Sequence, residues 1–336
     1  MNQHHRINLY WNDEGIPEQL HKALHATMET HWGETFLSFD NEIGKGLVKT
    51  IAFDWGLTFI QWDVSFFKDT HIHISFETET PIDFIYVSEG NLYFQNDHSE
   101  KSNIGTFQNS IIRYKAHSTN TYIFPKDSAL KFTFIQIVPE KYLDKKHHNI
   151  SYLNERLQLV FEFSAKDYHT LKGSHNLQIA DLLNDINSSR TTGIIRTLQL
   201  EGHLLIILSL LLADHEKQLA GGHFNLSDDQ IEKVHRASRI ISDQISDKIN
   251  VEDLAKQVSL SEFRLQEGFK TLYHQTVNGY SKEIKLQKAA EYLKYSDFSV
   301  SEIVYKIGFN SRSYFSQIFS KRFGMLPTDY RNKNSE

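Results

Sequence analysis

The chain has 336 residues, 40% of them apolar, enough for two domains with a sizeable core. It has no cysteine, which excludes a disulfide framework and thiol chemistry and suits a cytoplasmic location. Net charge is −6, but it is unevenly spread: from Asp228 onward 17 Lys and Arg face 15 Asp and Glu, whereas the preceding residues hold 19 and 27. Only the tail is suited to phosphate, and its sequence-independent affinity for nucleic acid should be modest.

The amino terminus lacks the basic and then apolar run of a signal peptide. Ile16–Trp32 reads as an amphipathic helix, with Leu20, Ala23, Leu24, Thr27 and Met28 on one face. From about 46 to 138 the period changes to two. Phe59, Gln61 and Asp63 alternate with Ile60, Trp62 and Val64, and turn signals at Glu89-Gly90 and Asn96-Asp97 separate further strands. Many short strands predict a sandwich or barrel. Such a barrel can enclose a small ligand, and Trp55, Phe59, Trp62, Phe84, Tyr86 and Phe94 are the candidate lining, or else plain core.

Helical spacing returns from about 139, over Tyr152–Phe161, Leu177–Ile186 and Ile194–Leu219. The longest apolar run, Leu204–Ala213, is too short to span a bilayer, so no membrane partner is expected. Residues 218–227, QLAGGHFNLS, read as a linker between a domain at 1–217 and another at 228–336. Ser227 and Gln230 form a capping box that opens the tail domain.

That tail contains an internal repeat. In the second copy Ser299 and Glu302 make a capping box, Val300, Ile303, Val304 and Ile307 recur at helical spacing, and Gly308 ends the helix. Ser311 caps the next helix, whose Phe315, Phe319 and Phe323 share a face. In the first copy Val251, Leu254 and Val258 match Val300, Ile303 and Ile307, and Leu265, Phe269, Tyr273 and Tyr280 match Phe315, Phe319, Phe323 and Tyr330. Ser259-Leu260-Ser261 faces Gly308-Phe309-Asn310-Ser311 in the turn. Both copies read as helix-turn-helix units, joined by one helix over Tyr280–Tyr295, about 24 Å long. Two units on such a strut suit successive major-groove turns, about 34 Å apart.

The segment from about Asp229 to Arg331 resembles the double helix-turn-helix domain of AraC/XylS-type transcription regulators, through LAKQVSLSEFRLQEGFK, IKLQKAAEYL and IVYKIGFNSRSYFSQIFSKRFGMLPTDYR. It departs from the family at Glu267, where a basic residue is usual, at Gly268, where a larger apolar residue is common, and at Val277, where proline is common. The resemblance implies a cytoplasmic homodimer that binds promoter DNA, with RNA polymerase as a further partner; activation and repression stay open. It also implies a cupin-like barrel in the front domain for effector binding or dimerisation, and PIDFIYVSEGNLYF is similar to a hairpin of such barrels. The expected fold is thus an α+β front domain, a cupin-like barrel with flanking helices, and an all-α tail. The apolar helix near 204–212 is either core or a dimer seam.

The second reading helix offers Ser311, Arg312, Ser313, Gln317, Ser320 and Lys321. Arg312 suits guanine, Gln317 suits adenine, and Lys321 with Arg322 suits phosphate. The first offers Phe263, Arg264, Gln266, Glu267 and Lys270, where Phe263 suits thymine methyls and Glu267 suits cytosine N4. The bland alternative for both is a solvated helix face. His71, His73, Glu77 and His117 resemble part of a catalytic cupin's metal motif, but Ser65 and Phe84 stand where its glycines would be, so no metal is expected. No phosphate loop, GxGxxG or GxSxG is present, so neither an enzyme nor a cofactor is expected. Two alternatives remain: a metal-dependent cupin enzyme with a DNA-binding tail, and a ligand-independent dimeric regulator.

Overall fold

The computed structural model describes residues 4–12, 15–96, 100–144, 150–161, 168–217 and 226–334. It divides into two compact units, Met1–Gly221 and Gly222–Glu336. Of the expected linker, 218–227, only Leu226 and Ser227 lie among the described residues.

The first unit opens with β1 (His5–Tyr10), α1 (Ile16–Leu24), β2 (Thr27–His31) and β3 (Glu34–Asp40). Then come β4 (Gly44–Phe53), β5 (Leu57–Phe66), β6 (Thr70–Phe76), β7 (Ile82–Glu89) and β8 (Leu92–Asn96). They are followed by β9 (Ser102–Ile104), β10 (Gln108–Arg113), β11 (Ser118–Phe124) and β12 (Leu130–Ile137). The unit ends with α2 (Pro139–Tyr142), α3 (Glu155–Phe161), β13 (His169–His175), α4 (Leu177–Ser188) and α5 (Gly193–Lys217).

The strands form two open sheets, β1-β6-β11-β8-β9 and β13-β10-β7-β12-β5-β4-β3-β2, and among the described residues no ladder joins them into the closed barrel expected over 46–138. Three features escaped the local pattern. β1 pairs in parallel with β6, a partner some sixty residues away that local periodicity cannot reveal. The helix expected over Ile16–Trp32 stops at Leu24, because His25 turns left-handed at φ 48° and β-branched Thr27 and Thr30 continue as strand. β13 interrupts the expected helical region and pairs with β10.

The two sheets face each other across an apolar core. Ile60, Trp62 and Val64 of β5 point into it, together with Ile72, Phe94, Phe124, Phe132 and Phe134. Trp62 lies 5.8 Å from Phe124 and 5.5 Å from Phe132, ring to ring, which ties one sheet to the other. The other face of the larger sheet meets the helices: Phe84 contacts Phe161 of α3, and Tyr86 Oη donates to the Asn176 carbonyl at 2.7 Å.

α5 alters one expectation. The apolar run over Leu204–Ala213, broken only by Ser209, is short, but the whole helix has 25 residues, and its apolar window has a mean hydropathy of 1.6. By length and composition it is long enough to cross a bilayer, and 33% of that window is buried within the unit. The run alone understated it because a helix absorbs the isolated polar positions Gln199, Glu201 and His203 without breaking.

The second unit is all helix: α6 (Asp228–Asp243), α7 (Val251–Gln257), α8 (Glu262–Tyr273), α9 (Val277–Tyr295), α10 (Val300–Lys306), α11 (Arg312–Phe323) and α12 (Pro327–Asn334). Both expected capping boxes form, Ser227 with Gln230 and Ser299 with Glu302. Around α10 and α11 a core of Leu286, Ala289, Leu293, Ile303, Ile307, Phe315 and Phe319 closes. Its counterpart in the first copy stacks Phe269, Tyr273 and Tyr280, and Tyr273 Oη bonds to Ser238 Oγ at 2.6 Å.

Candidate nucleic-acid interface

The geometry of the tail begins with its two turns. In each copy the residue after the helix C-cap is left-handed, Ser259 at φ 57° and Gly308 at φ 73°. The next helix then starts on a serine N-cap: Ser261 accepts from Arg264 N, and Ser311 accepts from Tyr314 N. Ser311 therefore holds the start of α11. Its hydroxyl oxygen accepts one backbone N–H there, and the residue stays exposed.

α11 buries Phe315 and Phe319 completely and exposes Arg312, Ser313, Gln317 and Lys321 on other faces. Arg312 makes one long contact, Nη1 to Ser301 Oγ at 3.4 Å. Ser320 is half-buried, and its carbonyl accepts the Gly324 N–H that ends the helix. Arg322 does not stand free for phosphate: its Nε donates to both carboxylate oxygens of Glu283, at 2.8 and 3.1 Å, and so braces α11 on α9. Tyr314, 49% exposed, belongs to the same surface; the apolar stripe alone hid it, because a tyrosine beside Phe315 reads as core.

The first copy is arranged differently. Phe263 is 64% exposed and Arg264 half-buried, both on the first turn of α8. Gln266 is half-buried: its Oε1 accepts from Val277 N at 3.2 Å and caps the start of α9. A proline at 277 would have no N–H to offer, so Gln266 and Val277 belong together. Glu267 Oε1 takes the Lys270 ammonium at 2.7 Å, so each partially neutralises the other. Gly268 is a packing residue, since a Cβ there would sit 2.4 Å from Val234 Cγ2. Loss of helix propensity is the cost of bringing α6 and α8 close.

A shared frame fixes the second turn. A Cβ on Gly308 would lie 1.9 Å from the Ser246 carbonyl oxygen, so the turn is seated on the loop after α6. Lys285 of α9, almost fully buried, donates to the Asp247 carbonyl at 3.0 Å in that same loop. Burial lowers its pKa, and Asp247 partly restores it. Arg331 of α12 donates to the Phe298 carbonyl just before α10.

In the first unit the six aromatic candidates do not form one lining. Trp62 borders a cavity between the sheets with Leu9, Ile72, Phe132, Asp83 and Gln136, and Phe94 lies in the same core. Phe59, Phe84 and Tyr86 sit on the opposite face of the larger sheet, because residues one apart on a strand point to opposite sides. Trp55 packs at a tilt against Phe53 and Tyr142. The cavity measures about 20 Å³, room for roughly one water.

Asp83, missed in the sequence, is buried beside that cavity. It accepts from Tyr114 Oη, Tyr122 Oη and Gln136 Nε2, and burial raises its pKa to about 6 against those hydrogen bonds. Trp62 Nε1 is buried without a hydrogen-bond partner. His71 stacks on His4, and His73 Nδ1 meets Thr121 Oγ1 at 2.8 Å. His117 occupies a left-handed turn. Among the described residues no three His, Asp or Glu side chains gather to hold a metal.

A family profile for a helix-turn-helix domain matches residues 254–333. The uncharacterized HTH-type transcriptional regulator YdeC of Bacillus subtilis is 33% identical over 124 residues, 35% of this chain and 43% of that protein. The regulatory protein SoxS of Escherichia coli K12 is 31% identical over 93 residues, 28% of this chain and 87% of SoxS. An apo structure of ToxT from Vibrio cholerae aligns with 82% of this chain and 97% of its own at 15% identity, with a TM-score of 0.35, too slight a likeness to bear on the front unit. The match to YdeC leaves more than half of that protein uncovered, whereas SoxS is covered almost end to end. With twin serine-capped reading helices on one braced frame, and this likeness to SoxS, the chain belongs to the AraC/XylS-type family of DNA-binding transcription regulators.

Proposed function

We propose that the tail unit binds a specific double-stranded promoter site and that the front unit governs how two tails are presented to it. The observation that carries this is α11, a helix with phenylalanines buried on one side and Arg312, Ser313 and Gln317 exposed on another. Arg312 and Gln317 read base edges in the major groove, and Lys321 holds phosphate. Phe263 and Arg264 read a second groove segment, with Glu267 tuning Lys270 between base and backbone. Site selection from a random duplex pool, followed by fluorescence anisotropy on the winner, tests it. A chain that selects no sequence, or binds all duplexes with equal affinity at 150 mM salt, overturns it.

Within the front unit, a cupin-like two-sheet sensor, the effector enters the cavity at Trp62. The unpaired Trp62 N–H and buried Asp83 support this, and the water-sized volume means an effector must displace side chains such as Trp11 and Ile16, which border the cavity. A second copy of the chain covers α5, where Ile194, Ile195, Leu198, Leu205 and Ile206 stand exposed along a mostly apolar face that also carries Glu201. This face is set on a helix whose other sides carry the Arg196–Glu34 pair and buried Asp214, an arrangement suited to a cytoplasmic dimer rather than a bilayer span. RNA polymerase is the partner that would turn operator binding into altered transcription. Leu198→Glu should convert a dimer to monomer by light scattering; a dimer that persists removes α5 as the seam.

A further inference from the structure

A second cavity lies outside the sheet sandwich, where the beginning of α3, β13 and the end of α5 meet. It measures about 220 Å³ and is lined by Asn154, Arg156, Leu157, Thr170, Leu171, Lys172 and His215. Its charged lining groups are Arg156 and Lys172, both cations. Arg156 has no hydrogen-bond or ion-pair partner among the described residues. Two carboxylates lie near without lining it: Asp214 Oδ2 takes the Asn109 and Asn176 amides at 3.4 and 2.8 Å, and Glu216 Oε1 takes Asn154 N at 2.6 Å.

An unmet donor lies just behind the wall. Asn154 Oδ1 accepts from Leu157 N at 3.0 Å, which fixes the orientation of its amide. Its Nδ2 is then left buried with no partner. An orphaned buried donor costs free energy unless something occupies it. Of the backbone N–H groups at this end of α3, those of Asn154, Leu157 and Gln158 are taken by Glu216, Asn154 Oδ1 and the Asn154 carbonyl. His215, 5% exposed, bonds through Nε2 to Asn109 Oδ1 at 2.9 Å. Burial lowers its pKa to about 4, with Asp214 pulling the other way, so the ring is neutral and an anion beside it would favour the protonated form.

We propose that this cavity binds a small organic anion, a carboxylate or a phosphate monoester, with Arg156 and Lys172 supplying the charge. Leu157 and Leu171 face its carbon part. The volume is below that of pockets that hold drug-sized ligands, which sets nucleotides and lipids aside. Occupancy ties α3 and β13 to the last turns of α5, so the site is placed to sense a metabolite independently of the cavity between the sheets and of the DNA-reading surface.

The full-length protein tests this with malonate and inorganic phosphate as probes, each against potassium chloride at equal ionic strength. At least one probe should raise the melting temperature saturably and shift the His215 imidazole ¹⁵N resonance; which one does so separates the carboxylate from the phosphate source. Arg156→Gln, at an exposed position, should weaken that response about tenfold, the loss expected for one charge-assisted hydrogen bond. Lys126→Gln, elsewhere on the unit, should not. An unchanged response in Arg156→Gln, a response that chloride reproduces (an adventitious ion only), or a His215 resonance that neither probe moves overturns the assignment.

Discussion

The two helix-turn-helix copies share a backbone and differ in how their side chains are employed. In the second, Arg312, Ser313 and Gln317 of α11 stay exposed, and the bracing is done by Gly308 against Ser246, Lys285 on Asp247 and, from the last turn of α11, Arg322 on Glu283. In the first, the reading helix braces itself. Gln266 caps α9, Glu267 holds Lys270, and Gly268 admits Val234. The same fold can therefore carry a specific reader and a positioning clamp, depending on which polar side chains the frame consumes. On this view Arg312 and its neighbours supply most of the base discrimination, and the first copy mostly sets register.

The largest expected effect separates the two turns. Gly308→Ala places a Cβ against the Ser246 carbonyl at a left-handed residue and should cost about 3 kcal/mol or more in urea denaturation. A near-neutral result would mean that the loop after α6 does not seat the second copy.

Next come the readers. Arg312→Ala should lose about 1–3 kcal/mol of discrimination at one base position, whereas Lys321→Ala should weaken all sequences evenly and lower the salt slope by about 1. Arg264→Ala should relax discrimination less than Arg312→Ala. Equal losses from the two arginines, measured by anisotropy on single-base operator variants, would erase the proposed division of labour.

A smaller effect isolates the cap. Gln266→Ala should cost about 1 kcal/mol in the wild-type background and almost nothing in a Val277→Pro background, where no N–H remains to be capped. Additive losses would show that Gln266 acts otherwise. The smallest effect returns to the turns: Ser259→Gly should gain at most about 0.5 kcal/mol, because relief of a left-handed serine is nearly offset by the freedom glycine adds to the unfolded chain.

The sequence made the tail legible down to its caps. Ser227, Ser299 and Ser311 cap the helices their spacing announced, and Phe315 and Phe319 are buried as their four-residue interval requires. These are local properties, since a helix closes its hydrogen bonds and its faces within a few residues. What each polar side chain does was less legible. Gln266, Arg322 and Ser311 carry the same chemistry whether they face DNA or their own backbone, and spacing cannot tell which partner stands across from them.

The front unit divides the same way for a different reason. The alternation of Phe59 with Ile60 and Trp62 was plain in the sequence, and parity alone determines that these residues lie on opposite faces. Which face meets the other sheet, that β1 joins β6 some sixty residues away, and that β13 returns to β10 were decided only by tertiary pairing. So was the gathering of Asn154, Arg156, Lys172 and His215 around one cavity. Helical order is written in short intervals of chain, but sheets and the sites they frame depend on contacts between distant segments, and those come into being only when the whole unit closes.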